Sequence, residues 1–191
     1  MLLSSYSQNE FEAGTDEAGR GCLAGAVFAA AVIFPKGYKN DLLNDSKKLS
    51  KKQRLLFRTQ IQKDALAYAV AEVSHTQIDE INILQASLLA MHRALDALKI
   101  RPQFVIVDGN KFNPYQKTPH ECIIKGDGKY LSIAAASILA KTYRDEKMEE
   151  LAKQYPYYSW QTNAGYPTKA HREGIRKHGV SPYHRLTFRL L

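Results

Sequence analysis

The sequence predicts an α/β layer fold built on a mixed five-stranded sheet. Three strand-like segments come first, strand-like and helix-like segments then alternate, and the two later apolar runs end at turns carrying aspartate and glycine. That order suits a sheet with helices on its faces. The first three strands make an antiparallel meander and the later two are added in parallel.

Each element has a local reason. Phe11 to Asp16 reads as a short strand. Ala26 to Phe34 (AVFAAAVIF) is β-branched and aromatic, is closed by Pro35-Lys36-Gly37, and reads as a second, buried strand. Ser50-Lys51-Lys52-Gln53 is a capping box, with Ser at the N-cap and Gln at N3, and opens a helix through about Lys63. Leu66 to Val73 alternates and reads as the third strand. Ile81, Leu84, Leu88, Met91, Leu95 and Leu98 recur at helical spacing in a helix over residues 78–98. Phe104 to Val107 is a short apolar run before Asp108-Gly109, and Cys122-Ile123-Ile124 is another before Lys125-Gly126-Asp127-Gly128. Residues 132–154 read as a long helix, small-residue rich at first and charged later. Thr168 to His178 reads as a short helix stopped by Gly179.

With 191 residues, 45% of them hydrophobic, the chain can bury a substantial core as a single unit. A small C-terminal appendage to that unit is compatible with this length. A formal net charge of +8 points to nucleic acid or an anionic surface as partner. Cys22 and Cys122 make neither a metal pattern nor a disulfide framework, which suits a reducing, cytoplasmic setting. The N-terminus lacks the basic start and apolar centre of a signal peptide. The longest apolar run, Cys22 to Phe34, falls short of the roughly 20 residues that span a bilayer, so no membrane partner is expected.

Gly14-Thr15-Asp16-Glu17-Ala18-Gly19-Arg20-Gly21 carries the most chemistry. Residues 1–19 contain no Lys or Arg, so Asp16 and Glu17 have no cationic neighbour before them in sequence. Hard divalent cations, Mg²⁺ or Mn²⁺, stabilise such paired carboxylates well. Acids also sit where the later strands stop, at Asp108 and Asp127, and strand ends are where α/β sheets build sites. Taken singly, each of those two is ordinary turn chemistry. Taken with Asp16 and Glu17, a metal site is the better reading.

Gly19-Arg20-Gly21 has glycines that allow φ > 0 and close approach to a ligand. Its backbone could bond a sugar 2′-hydroxyl, although a glycine-rich turn with a surface Arg is the commoner reading of that spacing. The C-terminal region is basic, with Lys169 and Arg172 among its cations, and aromatics including Tyr166 precede it. That suits stacking plus phosphate contacts, or equally a solvated basic helix. Ser46 and Lys47 are candidate phosphate contacts or simply a polar loop.

GTDEAGRGCLAGAV, NDSKKLS, VIVDGN, IIKGD, SIAAASILAKTYRD, NAGYPTKAH and HGVSPYHRLTF, in this order across nearly the whole chain, resemble ribonuclease HII. The resemblance implies a ribonuclease H-like catalytic domain over residues 1–154 and a small helical, substrate-binding C-terminal extension over 155–191 packed on it. It implies Mg²⁺- or Mn²⁺-dependent cleavage of RNA in RNA/DNA hybrids, including single ribonucleotides in duplex DNA, by a monomer. It makes Asp16, Glu17, Asp108 and Asp127 the metal-binding carboxylates, Gly19, Arg20 and Gly21 the 2′-hydroxyl reader, and Tyr166 the residue stacked on the neighbouring sugar. Cys22 and Ala26 stand where prolines are common in that family.

Overall fold

The computed structural model describes residues 2–40, 43 and 49–191. Its sheet has five strands: β1 (Glu12–Ala18), β2 (Val27–Ile33), β3 (Ala67–Val73), β4 (Phe104–Asp108) and β5 (His120–Ile123). Their order across the sheet is β3-β2-β1-β4-β5. β1, β2 and β3 pair antiparallel in sequence, and β4 and β5 add in parallel on the far side of β1. The expected meander and parallel pair are therefore both present, with β1 central.

Helices α1 (Lys51–Asp64), α2 (His75–Asp96), α3 (Leu131–Gln154), α4 (Trp160–Asn163) and α5 (Lys169–His178) complete the chain. The Ser50 hydroxyl accepts from the Gln53 N–H while the Gln53 side chain accepts from the Ser50 N–H, so the capping box forms as read. α2 starts earlier than its apolar spacing suggests, because Ser74 caps it by accepting from the Gln77 N–H. It is interrupted at Asn82, whose φ is 65° and whose side chain accepts from the N–H groups of Leu84 and Gln85, recapping the second half.

The sheet alternates its side chains between two cores. Ala13, Val27, Ala29, Ile33, Val105 and Val107 pack on α2, while Ala30 and Val32 pack on α3 and α1. The first half of α3 is buried all round, which its small residues permit. Helix and strand approach so closely that a Cβ on Gly14 would sit 2.4 Å from the Ser132 carbonyl carbon. A third core joins Leu23, Ala24, Met148 and Leu151 to Tyr158, Trp160 and Ile175, seating the C-terminal segment on α3 and on the loop after β1. Among the described residues, no helix is long and apolar enough to cross a membrane.

Candidate active site

The acids of β1 and β4 end two neighbouring parallel strands. The register pairs Thr15 with Val107, and one further step sets Asp16 beside Asp108. Adjacent residues of a strand face opposite ways. Asp16 accordingly lies toward α3, where Ser137 hydrogen-bonds it, and Glu17 turns toward α2. Both still reach open space because they stand at the end of the strand. A cavity of about 280 Å³ is lined by Asp16, Glu17, Asp108, Ser137, Lys141 and Tyr166, together with Gly19, Arg20, Gly21 and Arg54. A second cavity, on the α2 side, shares Glu17, Arg20 and Asp108 and adds Gly109, Asn110 and Lys111.

Electrostatics mark this place. Burial, then the charges of Glu17 and Asp108, hold the Asp16 carboxyl well above the usual carboxylate range. Burial raises Glu17 as well, opposed chiefly by Arg20, whose Nη1 lies 3.1 Å from Glu17 Oε1. Asp108 Oδ1 accepts from the Gly126 N–H at 2.6 Å. Asp127 sits next to that glycine in a 3₁₀ turn, Gly126–Gly128, and is buried. It lies outside the residues that line the two cavities, so three of the four expected carboxylates share the open site and the fourth does not line it. Among the described residues, no three His, Cys, Asp or Glu side chains are already closed up as a cage for an ion.

The two glycines of the 19–21 turn differ. Gly19 has φ +99°, and a Cβ there would fall 2.0 Å from Arg144 Nε. Gly21 has no positive φ, lines the cavity, and a Cβ on it would meet nothing within 4 Å. Left-handed backbone is thus needed at the first glycine only.

Tyr166 closes the opposite wall, with Lys141 Nζ 5.5 Å and the Arg144 guanidinium 6.0 Å from its ring centre. Its loop is tied to the loop after β1 by the Leu23 N–H donating to the Gly165 carbonyl. It is also braced from beneath. His171 Nδ1 lies 2.9 Å from the Tyr166 carbonyl, and His171 Nε2 is 3.1 Å from His184 Nε2 and 2.9 Å from Trp160 Nε1. His184 Nδ1 accepts from the Ser181 N–H. In the tautomer set that fits this chain, His171 Nδ1–H donates to the carbonyl, and His171 Nε2 is the shared acceptor of Trp160 Nε1–H and His184 Nε2–H. Burial, then the neighbouring His171, pulls His184 down to about 4.

The remaining candidates lie elsewhere. Ser46 and Lys47 fall outside the described residues. Lys169 is almost fully exposed and pairs with Glu173 at 3.9 Å. Arg172 Nη1 donates to the carbonyls of Arg189 and Leu190, holding the C-terminal strand of chain. Ser137, Lys141 and Arg54 were not legible as site residues, although Ser137 and Lys141 stand four apart on one helix face. Within α3 Lys141 pairs with Asp145, whereas Glu146 pairs with Arg58 of α1. Arg144 instead turns inward, to the carbonyls of Ala24, Ala26 and Ala164.

Comparison with known proteins agrees with this geometry. The family model described as ribonuclease HII matches residues 13–191. Ribonuclease HII of Bacteroides thetaiotaomicron is 63% identical over 191 residues, covering 100% of this chain and 96% of that protein. The crystal structure of ribonuclease H2 from Pyrococcus horikoshii superposes with a TM-score of 0.79 at 27% identity, covering 94% of each chain. The ribonuclease HII of the PCNA:RNase HII complex from Archaeoglobus fulgidus does so at 0.78 and 26%, covering 95% of this chain and 96% of that one.

Proposed function

Because this chain belongs to the ribonuclease HII family, and so is a nuclease of the ribonuclease H class, we propose that it cuts both hybrid duplexes and isolated ribonucleotides. It hydrolyses the RNA strand of RNA/DNA hybrids and incises 5′ of single ribonucleotides in duplex DNA, leaving 3′-hydroxyl and 5′-phosphate ends. The observation that carries the reading is the meeting of Asp16, Glu17 and Asp108 at the ends of β1 and β4, in a cavity walled by Gly19-Arg20-Gly21 and Tyr166.

Asp16, Glu17, Asp108 and Asp127 are the residues that would hold Mg²⁺ or Mn²⁺. An all-oxygen donor set suits those ions. The crowding that raises Asp16 is relieved by added positive charge. When bound, the ions supply an activated water and neutralise charge on the leaving 3′-oxygen. The protein's own groups do the rest. Ser137 fixes the Asp16 carboxyl, and Lys141 and Arg54 line the wall that a phosphodiester would approach. Backbone groups of Gly19, Arg20 and Gly21 meet the 2′-hydroxyl, and Tyr166 stacks on the adjoining sugar. Ser46, Lys47, Lys169 and Arg172 add phosphate contacts along the duplex.

The test uses labelled duplexes with one ribonucleotide, with an all-RNA strand, and with DNA only, in Mg²⁺, Mn²⁺ or EDTA. Cleavage of the first two, lost in EDTA and reduced by orders of magnitude in Asp16→Asn and Asp108→Asn, is expected. Comparable cutting of the DNA duplex, or near-normal turnover by either variant, would sink the reading.

A further inference from the structure

Two guanidinium groups lie deep beneath the 19–26 loop. Arg144 of α3 is 1% exposed, and Arg185, in the C-terminal segment, is 0% exposed. Among the described residues, neither is in ion-pair contact with a carboxylate. Buried like charges are costly unless something specific holds them. Here backbone carbonyls do so. Arg185 Nε donates to the Gly25 carbonyl and Nη1 to the Arg20 carbonyl, each at 2.9 Å. Its guanidinium lies 5.1 Å from the centre of the Phe188 ring, and Nη2 has no hydrogen-bond partner among the described residues. Burial, then Arg144, lowers Arg185 to about 10.

The bond to the Arg20 carbonyl has a geometric consequence. A trans peptide is planar, and its C=O and the following N–H point opposite ways. No peptide bond here is cis. With the Arg20 oxygen drawn inward to Arg185, the Gly21 N–H points outward, from a residue that lines the cavity with its side open. Among the described residues, no acceptor takes that N–H.

We propose that Arg185 is a positioning residue for sugar recognition: by holding the Arg20 carbonyl, it aims the Gly21 N–H into the cavity as a fixed donor to a 2′-hydroxyl. The inference deepens the reading of the 19–21 turn given above and rests on it. It makes the C-terminal segment part of the sugar reader, although Arg185 stands 165 positions beyond Arg20. Asp79 of α2 steadies that segment, accepting from the N–H groups of Leu186 and Thr187 at 2.8 and 3.0 Å.

The test is binding of the full chain, by fluorescence anisotropy, to a duplex with one ribonucleotide and to its all-DNA counterpart. Ca²⁺ replaces Mg²⁺ to hold cleavage off. Arg185→Lys keeps the charge and loses the fork. The preference for the ribonucleotide is expected to fall about fivefold, the worth of one net hydrogen bond. Affinity for the DNA duplex should hold within about twofold, since phosphate contacts dominate it. Asp79→Ala, a change near the surface that loosens the segment without touching Arg185, should lower the same ratio in part and serves if Arg185→Lys does not fold. An unchanged ratio in a folded Arg185→Lys, or in Asp79→Ala if that stands alone, overturns the proposal. No preference in the wild-type protein overturns the underlying reading of the 19–21 turn and the proposal with it. Loss of affinity for both duplexes by one factor assigns Arg185 to general structure and also overturns it.

Discussion

Gly19 and Gly21 are two residues apart and are glycines for different reasons. Gly19 holds a left-handed backbone packed against Arg144, whereas Gly21 leaves room in the cavity. Gly19→Ala should therefore destabilise the protein by about 1–3 kcal/mol, through strained φ and displacement of a buried guanidinium. Gly21→Ala should stay within about 0.5 kcal/mol of wild type, yet lose preference for ribonucleotides, because its methyl group occupies the approach of the sugar. Urea denaturation and kcat/KM on both RNA-containing duplexes separate the two; equal destabilisation by both would remove the distinction. Sequence alone placed both residues in a turn. It could not tell which of the two takes the positive φ, nor that Arg144, 125 positions away, lies under the first glycine.

At the scale of elements, strands and helices were legible wherever apolar period and caps agreed. The capped α1 and the β-branched β2 follow that rule, whereas the run read at residues 122–124 pairs as His120–Ile123 and α3 forms without a side-chain cap. What escaped was short and tertiary: the single-turn α4, and the bracing of the Tyr166 loop by histidines. By sequence His171 and His184 lie within the basic C-terminal region. They are in fact buried and neutral, their pKa values lowered mainly by burial. The pH consequence has a definite sign. A histidine depressed to about 4 contributes stability fully present above its unfolded value near 6.5, and loses it as pH falls toward 4. The full loss for His184 is about 3 kcal/mol. Asp16 and Glu17 act oppositely, since their raised values make protonation favour the folded state. Urea unfolding of Asp16→Asn at pH 7.5, 6.5 and 5 should thus fall more steeply than wild type, and His184→Gln in that background should flatten the slope. A slope unchanged by His184→Gln would refute the assignment.

Over the whole molecule, charge is sorted by depth. Exposed Lys and Arg spread over the surface, the carboxylates of Asp16, Glu17 and Asp108 meet at one sheet end, and two cations lie beneath the loop that walls them. The +8 balance was readable as affinity for polyanions, but not which cations would be spent on the protein's own carbonyls. Topology supplies the other global fact: β1 is central, yet its partner β4 arrives about ninety positions later. Closing so long a loop is entropically slow, whereas the β1-β2 hairpin closes early. Asp16 and Asp108 therefore meet late, and their repulsion is absent from the barrier to folding. Easing it by Asp108→Asn should slow unfolding and leave the refolding limb of the chevron in place. Were refolding to accelerate instead, β4 would already be docked at the barrier. With the repulsion arising only after the barrier, the acids that equip the site hasten the opening of the finished protein without delaying its assembly, so the cost of the site is borne in lifetime and not in folding speed.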